Sequence, residues 1–278
     1  MKFSYNANGL RNVPVDAAIR DVAEAGYAAI ELSLHPAHID PFSFTPTVAR
    51  RISGALDETA IVACCLATGA DTLLSDERFE PSLIHPDHAG RGRRVDLIKR
   101  SIDIARTLDI PMINFASGPR RSDVEDRAAT DWLSEGLREC LDYADDDVVL
   151  AMEPEPGFFL ETNDSVAELI SSLGSPSLTL AQDLGHCRVV EEDYLGSVSR
   201  NLAVTSIIQV EDIKGRVHYH EIPGDGDIDF AGFFDVCRAG GYDGYYSVEL
   251  YNHSDQHRTA LARSLRHLEM QSSAPSAV

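Results

Sequence analysis

No stretch of the 278-residue chain approaches the ~20 consecutive apolar residues that a membrane-spanning helix needs, and the opening MKFSYNANG has no apolar signal core. A cytoplasmic location is therefore expected. Positive charge is scarce. Against 45 Asp+Glu stand only 24 Lys+Arg, a net charge of −21. That excess repels phosphate backbones and anionic lipid over roughly a Debye length, so neither nucleic acid nor a membrane is an expected partner. A neutral polyol or keto sugar suits such a surface better than a highly charged anion.

Zinc-like CxxC spacing is missing too. Cys64, Cys65, Cys140, Cys187 and Cys237 are an odd set, and the adjacent Cys64-Cys65 pair sits in an apolar run, so all five read as reduced, buried thiols. A Gly-rich phosphate loop is also lacking. The segment PGDGDID carries Gly224 and Gly226 but continues into acids, which disfavours phosphate and suits a turn that caps the next helix.

What is present is ordinary globular composition, 44% hydrophobic and 25% charged, in a chain of the length one α/β barrel usually takes. Short apolar runs alternate with amphipathic segments throughout, as repeated βα units around a parallel sheet require. The strand-like runs are Lys2–Tyr5, Ala28–Leu32, Ile61–Leu66, Met112–Phe115, Val148–Met152, Leu178–Ala181, Ser206–Val210 and Gly244–Leu250. Eight is the number that closes a (β/α)8 TIM barrel.

Helical periodicity marks Val15–Ala25, Pro46–Thr59, Gly92–Leu108, Ala128–Tyr143, Ser165–Leu173, Asp229–Ala239 and Ser254–Glu269, with a shorter helix around Tyr194–Asn201. Asn163-Asp164 and Asp229 can cap helix starts, while Gly26 and Gly240-Gly241 suit left-handed stops. A single barrel domain over 1–270 follows, with a polar, small-residue tail at 271–278 that is expected to fray. The insert Leu74–Gly90, with Phe79, Ile84 and His85, is a candidate lid.

Active sites of βα barrels gather at the carboxyl ends of the strands. The polar residues there are Glu31, Asn114, Ser117 and, ending the last four strands, Glu153, Asp183, Gln209 and Glu249. Taken singly, each acid is more often a helix cap or an ion-pair partner. Together, three carboxylates at one mouth repel each other unless a cation neutralises them. An all-oxygen set favours one hard divalent ion, Mn or Mg before Co, with open positions for water or substrate.

The runs AMEPE at Ala151–Glu155, QDLGH at Gln182–His186, IIQVEDIKGRVHYHEIPGDGDIDF at Ile207–Phe230, GYDGYYSVEL at Gly241–Leu250 and the stretch Gly90–Gly118 resemble the xylose isomerase-like sugar isomerase and epimerase superfamily. The resemblance covers nearly the whole chain. It implies that Glu153, Asp183 and Glu249 bind the metal at positions where the family does so, with Gln209 where His is usual. Gln at this place resembles hydroxypyruvate isomerases and bacterial 3-dehydroshikimate dehydratases of the same barrel type. An amide carbonyl ligates a hard ion as well as His does, so the metal set is kept, and zinc becomes less expected.

The resemblance further implies that Glu153 and Glu249 are opposed bases in proton transfer next to a carbonyl through an enediolate, with His186 donating to the developing oxyanion and Arg216 touching substrate oxygens. Glu155 and Lys214 are expected on the pocket wall, with Asn6, Glu31 and His88 coming in from the early loops. His218 and His220 alternate about Tyr219 and read as a surface edge, outside the metal set.

The expectation is a metal-dependent isomerase or epimerase of a small keto sugar, hydroxy-keto acid or cyclitol. A dehydratase or lyase sharing the enediolate is the first alternative, and a non-catalytic accessory barrel the second. Barrels of this type often assemble, so a homo-oligomer or a partner subunit is compatible with the sequence.

Overall fold

The computed structural model describes residues 1–69 and 72–273. Eight parallel strands close on themselves in sequence order: β1 (Lys2–Asn6), β2 (Ala29–Ser33), β3 (Val62–Ala67), β4 (Met112–Ala116), β5 (Val149–Glu153), β6 (Leu178–Asp183), β7 (Thr205–Val210) and β8 (Tyr245–Val248). The barrel shuts where β1 pairs with β8, Phe3 opposite Tyr246 and Tyr5 opposite Val248. Each expected strand is present within a few residues. β5 and β6 run on to include Glu153 and Asp183, placing both acids at strand ends.

The outer ring holds α1 (Val15–Glu24), α2 (Pro46–Thr59), α3 (His88–Thr107), α4 (Asp126–Ala144), α5 (Asn163–Leu173), α6 (Leu184–Val190), α7 (Tyr194–Asn201), α8 (Phe230–Ala239) and α9 (His257–Ser272). Their starts follow from side chains that satisfy orphan amides. Asp87 accepts from Ala89 N at 3.2 Å and Gly90 N at 3.1 Å, so α3 begins four residues before the apolar pattern does. Thr162, not Asn163-Asp164, caps α5, and Asp229 caps α8 through Gly232 N at 2.9 Å. Gly26 at φ +96° and Gly241 at φ +72° supply left-handed stops.

The short α6 is not visible in the sequence pattern, because Asp183 ends a strand and caps the next helix at once. Of the tail expected to fray, residues 271 and 272 belong to α9 and Ser273 caps it, while 274–278 lie outside the described residues.

Core packing is continuous between barrel and helices. In α8, Phe230, Phe233, Phe234 and Cys237 recur at helical spacing and are buried. Phe234 lies 6.0 Å from Phe3 and 5.4 Å from Tyr246, ring centre to ring centre, which ties α8 to the seam of the barrel. Each such buried ring contributes about 1.5–3 kcal/mol. Small side chains fill the barrel interior below the mouth, among them Ala29, Cys64, Cys65, Ala151 and Ala181. All five cysteines are free and buried. Among the described residues no helix is long and apolar enough to cross a membrane.

Candidate metal centre and its cavity

At the carboxyl end of the barrel a cavity of about 420 Å³ opens, lined by Glu153, Glu155, His186, Gln209, His218, His220 and Glu249, with Asn8, Arg11, Phe79, Asn114, Phe158 and Tyr251 around them. Strand ends supply its floor. Glu153 follows the buried apolar residues of β5 and is pressed against Gln209 of β7. In one orientation of the Gln209 amide, its oxygen faces the Glu153 carboxylate, oxygen against oxygen. Turned over, the amide nitrogen instead donates to Glu153 at 3.1 and 3.2 Å.

Asp183 is fully buried and takes the His186 amide N–H at 2.7 Å on Oδ1, while its Oδ2 has no donor. Glu211, also fully buried, has no donor on either oxygen. Burial, and then the charge of Asp183, raise the proton affinity of Glu211 well above the usual carboxylate range. Once protonated it becomes the donor that Asp183 otherwise lacks. Burial opposes ionisation of Asp183, but His186, His220 and these hydrogen bonds outweigh it and hold its pKa below the ordinary value.

Glu249 stands just beyond β8. Asn6 and Asn8 both donate to its Oε1, at 3.2 and 2.6 Å. Burial, then the charges of Asp183 and Glu31, push its pKa up to about 8. Glu153 is raised well above its ordinary value, by burial and then by Glu249, Asp183 and Glu155. His186 is set directly against them, 3.3 Å from Glu153 and 3.8 Å from Asp183, and the acids outnumber it. Buried carboxylates with raised proton affinity, together with an amide oxygen that can face a carboxylate, could hold a cation. Glu153, Asp183 and His186 each bring one ligand atom within 4.8 Å of the others.

Three histidines form one wall. His186 Nδ1 donates to Pro154 O at 3.0 Å and His220 Nδ1 to Glu249 O at 2.9 Å, which leaves His220 Nε2 3.3 Å from His218 Nε2. His186, His218 and His220 likewise each bring one ring nitrogen within 4.8 Å of the others. Burial opposes a charge on His186, but Asp183, Glu155 and Glu249 prevail and raise its pKa. Burial lowers His218 to about 4 and His220 to about 3. Of the three, only His186 has its proton affinity raised.

The loop carrying His218 and His220 is tied at its base. Asp212 and Glu221 exchange backbone bonds at 2.8 Å, Asp227 N donates to Ile213 O at 2.8 Å, and the Asp212 carboxylate accepts from Gly224 N and Ile228 N at 2.8 and 3.0 Å. So PGDGDID is a turn, and Asp229 at its end caps α8.

The structure brings Glu153, Asp183, Gln209, Glu249, His186 and Glu155 to one place. Asn6 is fully buried beneath Glu249 and does not line the cavity. Arg216 points outward, its Nε satisfied by Val189 O at 2.9 Å, and His88 is the exposed first residue of α3; neither lines the cavity. Lys214 is exposed and Glu31 is buried behind Gln209. His218 and His220, expected on a surface edge, are cavity residues, because the tied loop folds their strand-like alternation inward. Of the insert 74–90, Phe79 reaches the cavity and packs on Phe158 at 5.0 Å, while Ile84 is in the core. Asn8, Arg11 and Tyr251 carry no sequence signal that marks them out.

A closed eight-stranded parallel barrel with an acidic cavity at its carboxyl mouth defines the (β/α)8 class. Within it, the chain belongs to the xylose isomerase-like TIM barrel family, whose family model matches residues 19–271. It is similar to the putative hydroxypyruvate isomerase of Homo sapiens, 25% identical over 57% of this chain and 60% of that protein. Similarity to the 2-oxo-tetronate isomerase of Cupriavidus necator is 31% identity over 34% of this chain and 35% of that protein. The chain thus matches less than two thirds of the length of these relatives. In fold it resembles the apo 3-keto-D-glucoside 4-epimerase of E. coli, with TM-score 0.81 at 17% identity, covering 97% of this chain and 99% of that one.

Proposed function

We propose that the chain is a cation-dependent isomerase or epimerase of a small keto sugar or hydroxy-keto acid, with Glu153 and Glu249 exchanging a proton at the carbon beside the carbonyl. The observation that carries this reading is the pair of buried glutamates, both lining one cavity of about 420 Å³ and both with raised proton affinity. Exchange on one carbon from opposite sides inverts a centre, and exchange between neighbouring carbons moves a carbonyl. The names of the isomerase relatives point the same way.

Glu153, Asp183, Gln209 and Glu249 hold the cation, Mn or Mg by their all-oxygen chemistry. When bound, it supplies the positive charge that polarises a substrate carbonyl. His186, carrying its proton toward the cavity, donates to the oxygen on which negative charge grows. Glu155 and His218 border the space left for hydroxyls. Asn6 and Asn8 hold Glu249 in place. Phe79 and Phe158 cover one side and limit water.

Incubation with Mn and a panel of keto sugars, hydroxypyruvate and dehydroshikimate in D2O, followed by proton NMR, tests this. Deuterium beside the carbonyl with an accumulating isomer, lost on chelation, is the expected result. Loss of water or of an aglycone would make the chain a lyase of the same chemistry. No turnover and no bound cation would leave the accessory-barrel reading standing.

A further inference from the structure

We infer that Glu31 is the positioning residue that makes Gln209 a cation ligand. The inference rests on the cation-dependent reading above and goes beyond it, from which residues hold the ion to what makes an amide fit to do so.

A glutamine can ligate a cation only through Oε1, and its amide is free to turn over, since rotation about its last torsion is broad and roughly two-fold. At Gln209 the two orientations have different partners. Turned with nitrogen toward Glu153, the amide donates to both Glu153 oxygens and its own oxygen accepts from Asn114 Nδ2 at 3.2 Å. That arrangement satisfies Glu153 but sets the amide oxygen 3.4 Å from Glu31 Oε1, and it presents N–H groups where a cation would need lone pairs. Turned with oxygen toward Glu153, the amide presents a ligand atom beside a ligand carboxylate. Its nitrogen then needs an acceptor elsewhere in a fully buried place.

Glu31 is that acceptor. Its Oε1 lies 3.4 Å from Gln209 Nε2, while its Oε2 takes the Ser247 hydroxyl at 2.6 Å. Ser247 comes from β8, Glu31 from β2 and Gln209 from β7, so one buried carboxylate spans the barrel behind the ligand. Glu31 is itself fully buried and does not line the cavity, so it does not meet a substrate there. Asn114 cannot replace it, because its Nδ2 is a donor facing a donor in this orientation. A carboxylate accepts whichever way it is turned, whereas an amide at position 31 has one oxygen and, free to turn over, can set its own N–H against that of Gln209. The arrangement is the amide counterpart of a metal-ligating histidine that gives its second N–H to a carboxylate, a partner whose loss costs about 10–100-fold in metal affinity.

The test uses the full chain, stripped with chelator and titrated with Mn2+, free ion being read by electron paramagnetic resonance. Four proteins are compared: wild type, E31Q, Q209E and E31Q/Q209E. A carboxylate at 209 ligates in either orientation and has no N–H to place. The expected result is a 10–100-fold weaker Mn2+ affinity for E31Q than for wild type, and no comparable loss between Q209E and the double variant. Equal losses in the two backgrounds would show that Glu31 acts only through its charge or through the fold, and would overturn the inference. So would an E31Q affinity equal to wild type. E31D keeps the charge but draws the carboxylate back from Gln209, so it covers the case in which E31Q does not fold, and the same background-dependent loss is expected of it. Absence of Mn2+ binding by the wild type would overturn the cation-dependent reading, and the inference with it. Binding without the E31Q loss overturns the inference alone.

Discussion

Glu153 and Glu249 enter the cavity from β5 and from the end of β8, and each is expected to be indispensable for exchange. E153Q and E249Q keep volume and hydrogen-bonding capacity but cannot accept a proton. Each should lower the rate of deuterium incorporation by about 10²–10⁴-fold, the usual worth of a positioned acid or base. A variant that retained more than a tenth of wild-type exchange would remove that residue from the chemistry. Melting temperatures measured alongside separate this from loss of fold.

Raised proton affinity makes these residues visible in stability as well. Glu249 with a folded-state pKa of about 8, against 4.5 when unfolded, holds a proton in the fold that the unfolded chain has released. Its contribution is complete below pH 4.5 and is lost as pH rises through 8. Glu31, at about 7, and His186, raised from 6.5, act with the same sign. His218 and His220 act oppositely, since their folded values lie below 6.5, but their effect is over once the unfolded histidines have lost their protons. Chelated protein should therefore lose thermal stability between about pH 6.5 and 8, because there the unfolded state binds fewer protons than the fold. Added Mn2+ should flatten that loss, since the ion replaces the protons. A melting point that rises with pH across this window in chelator would contradict the assigned shifts.

Among single residues, Glu153, Asp183 and Glu249 are legible in the sequence because strand ends fix where they point, whereas Glu211, just past β7 and buried against Asp183, is not. Nor are Arg216, His88, His218 and His220, since each lies on a loop or helix start whose direction depends on distant partners. Val189 O captures Arg216, and the Asp212 tie turns His220 inward.

Between β6 and β7 the sequence offered one weak helix and the structure has two, α6 and α7. The first exists because Asp183 caps it, and its second residue, Gly185, lies against β7. A Cβ there would overlap Glu211 Oε1 and stand 3.0 Å from Ile213 Cγ1. G185A is expected to destabilise the fold by about 1–3 kcal/mol, the usual result of overpacking, and to displace Glu211 from Asp183. Urea unfolding checks the first, and a weakened Mn2+ affinity the second. Unchanged values in both would mean that α6 moves freely as a unit. Strands and long helices were legible because period and caps are local. The start of α3 was misplaced because Gly90 and Gly92 break the pattern that Asp87 nevertheless caps.

For the whole molecule, closure of eight strands followed from counting apolar runs, and the net charge of −21 was equally plain. That field screens with salt: the Debye length falls from about 30 Å at 0.01 M to about 8 Å at 0.15 M. If the substrate is a hydroxy-keto acid, kcat/KM should rise across this range as repulsion fades, whereas a neutral keto sugar should show no such rise. Parallel salt profiles of the two substrates are the measurement, and identical profiles would show that the cavity feels none of the surface charge.

The loop from Asp212 to Ile228 is bonded to itself at its base, but His220 is held from outside it, its Nδ1 donating to Glu249 O at 2.9 Å and its backbone oxygen accepting from His253 Nε2 at 2.8 Å. Such a segment is a cassette with two external latches: transplanted between the end of β7 and the start of α8 in another barrel of this family, it should keep its turn, but it should bring His218 and His220 to the cavity only where the host supplies the equivalents of Glu249 O and His253.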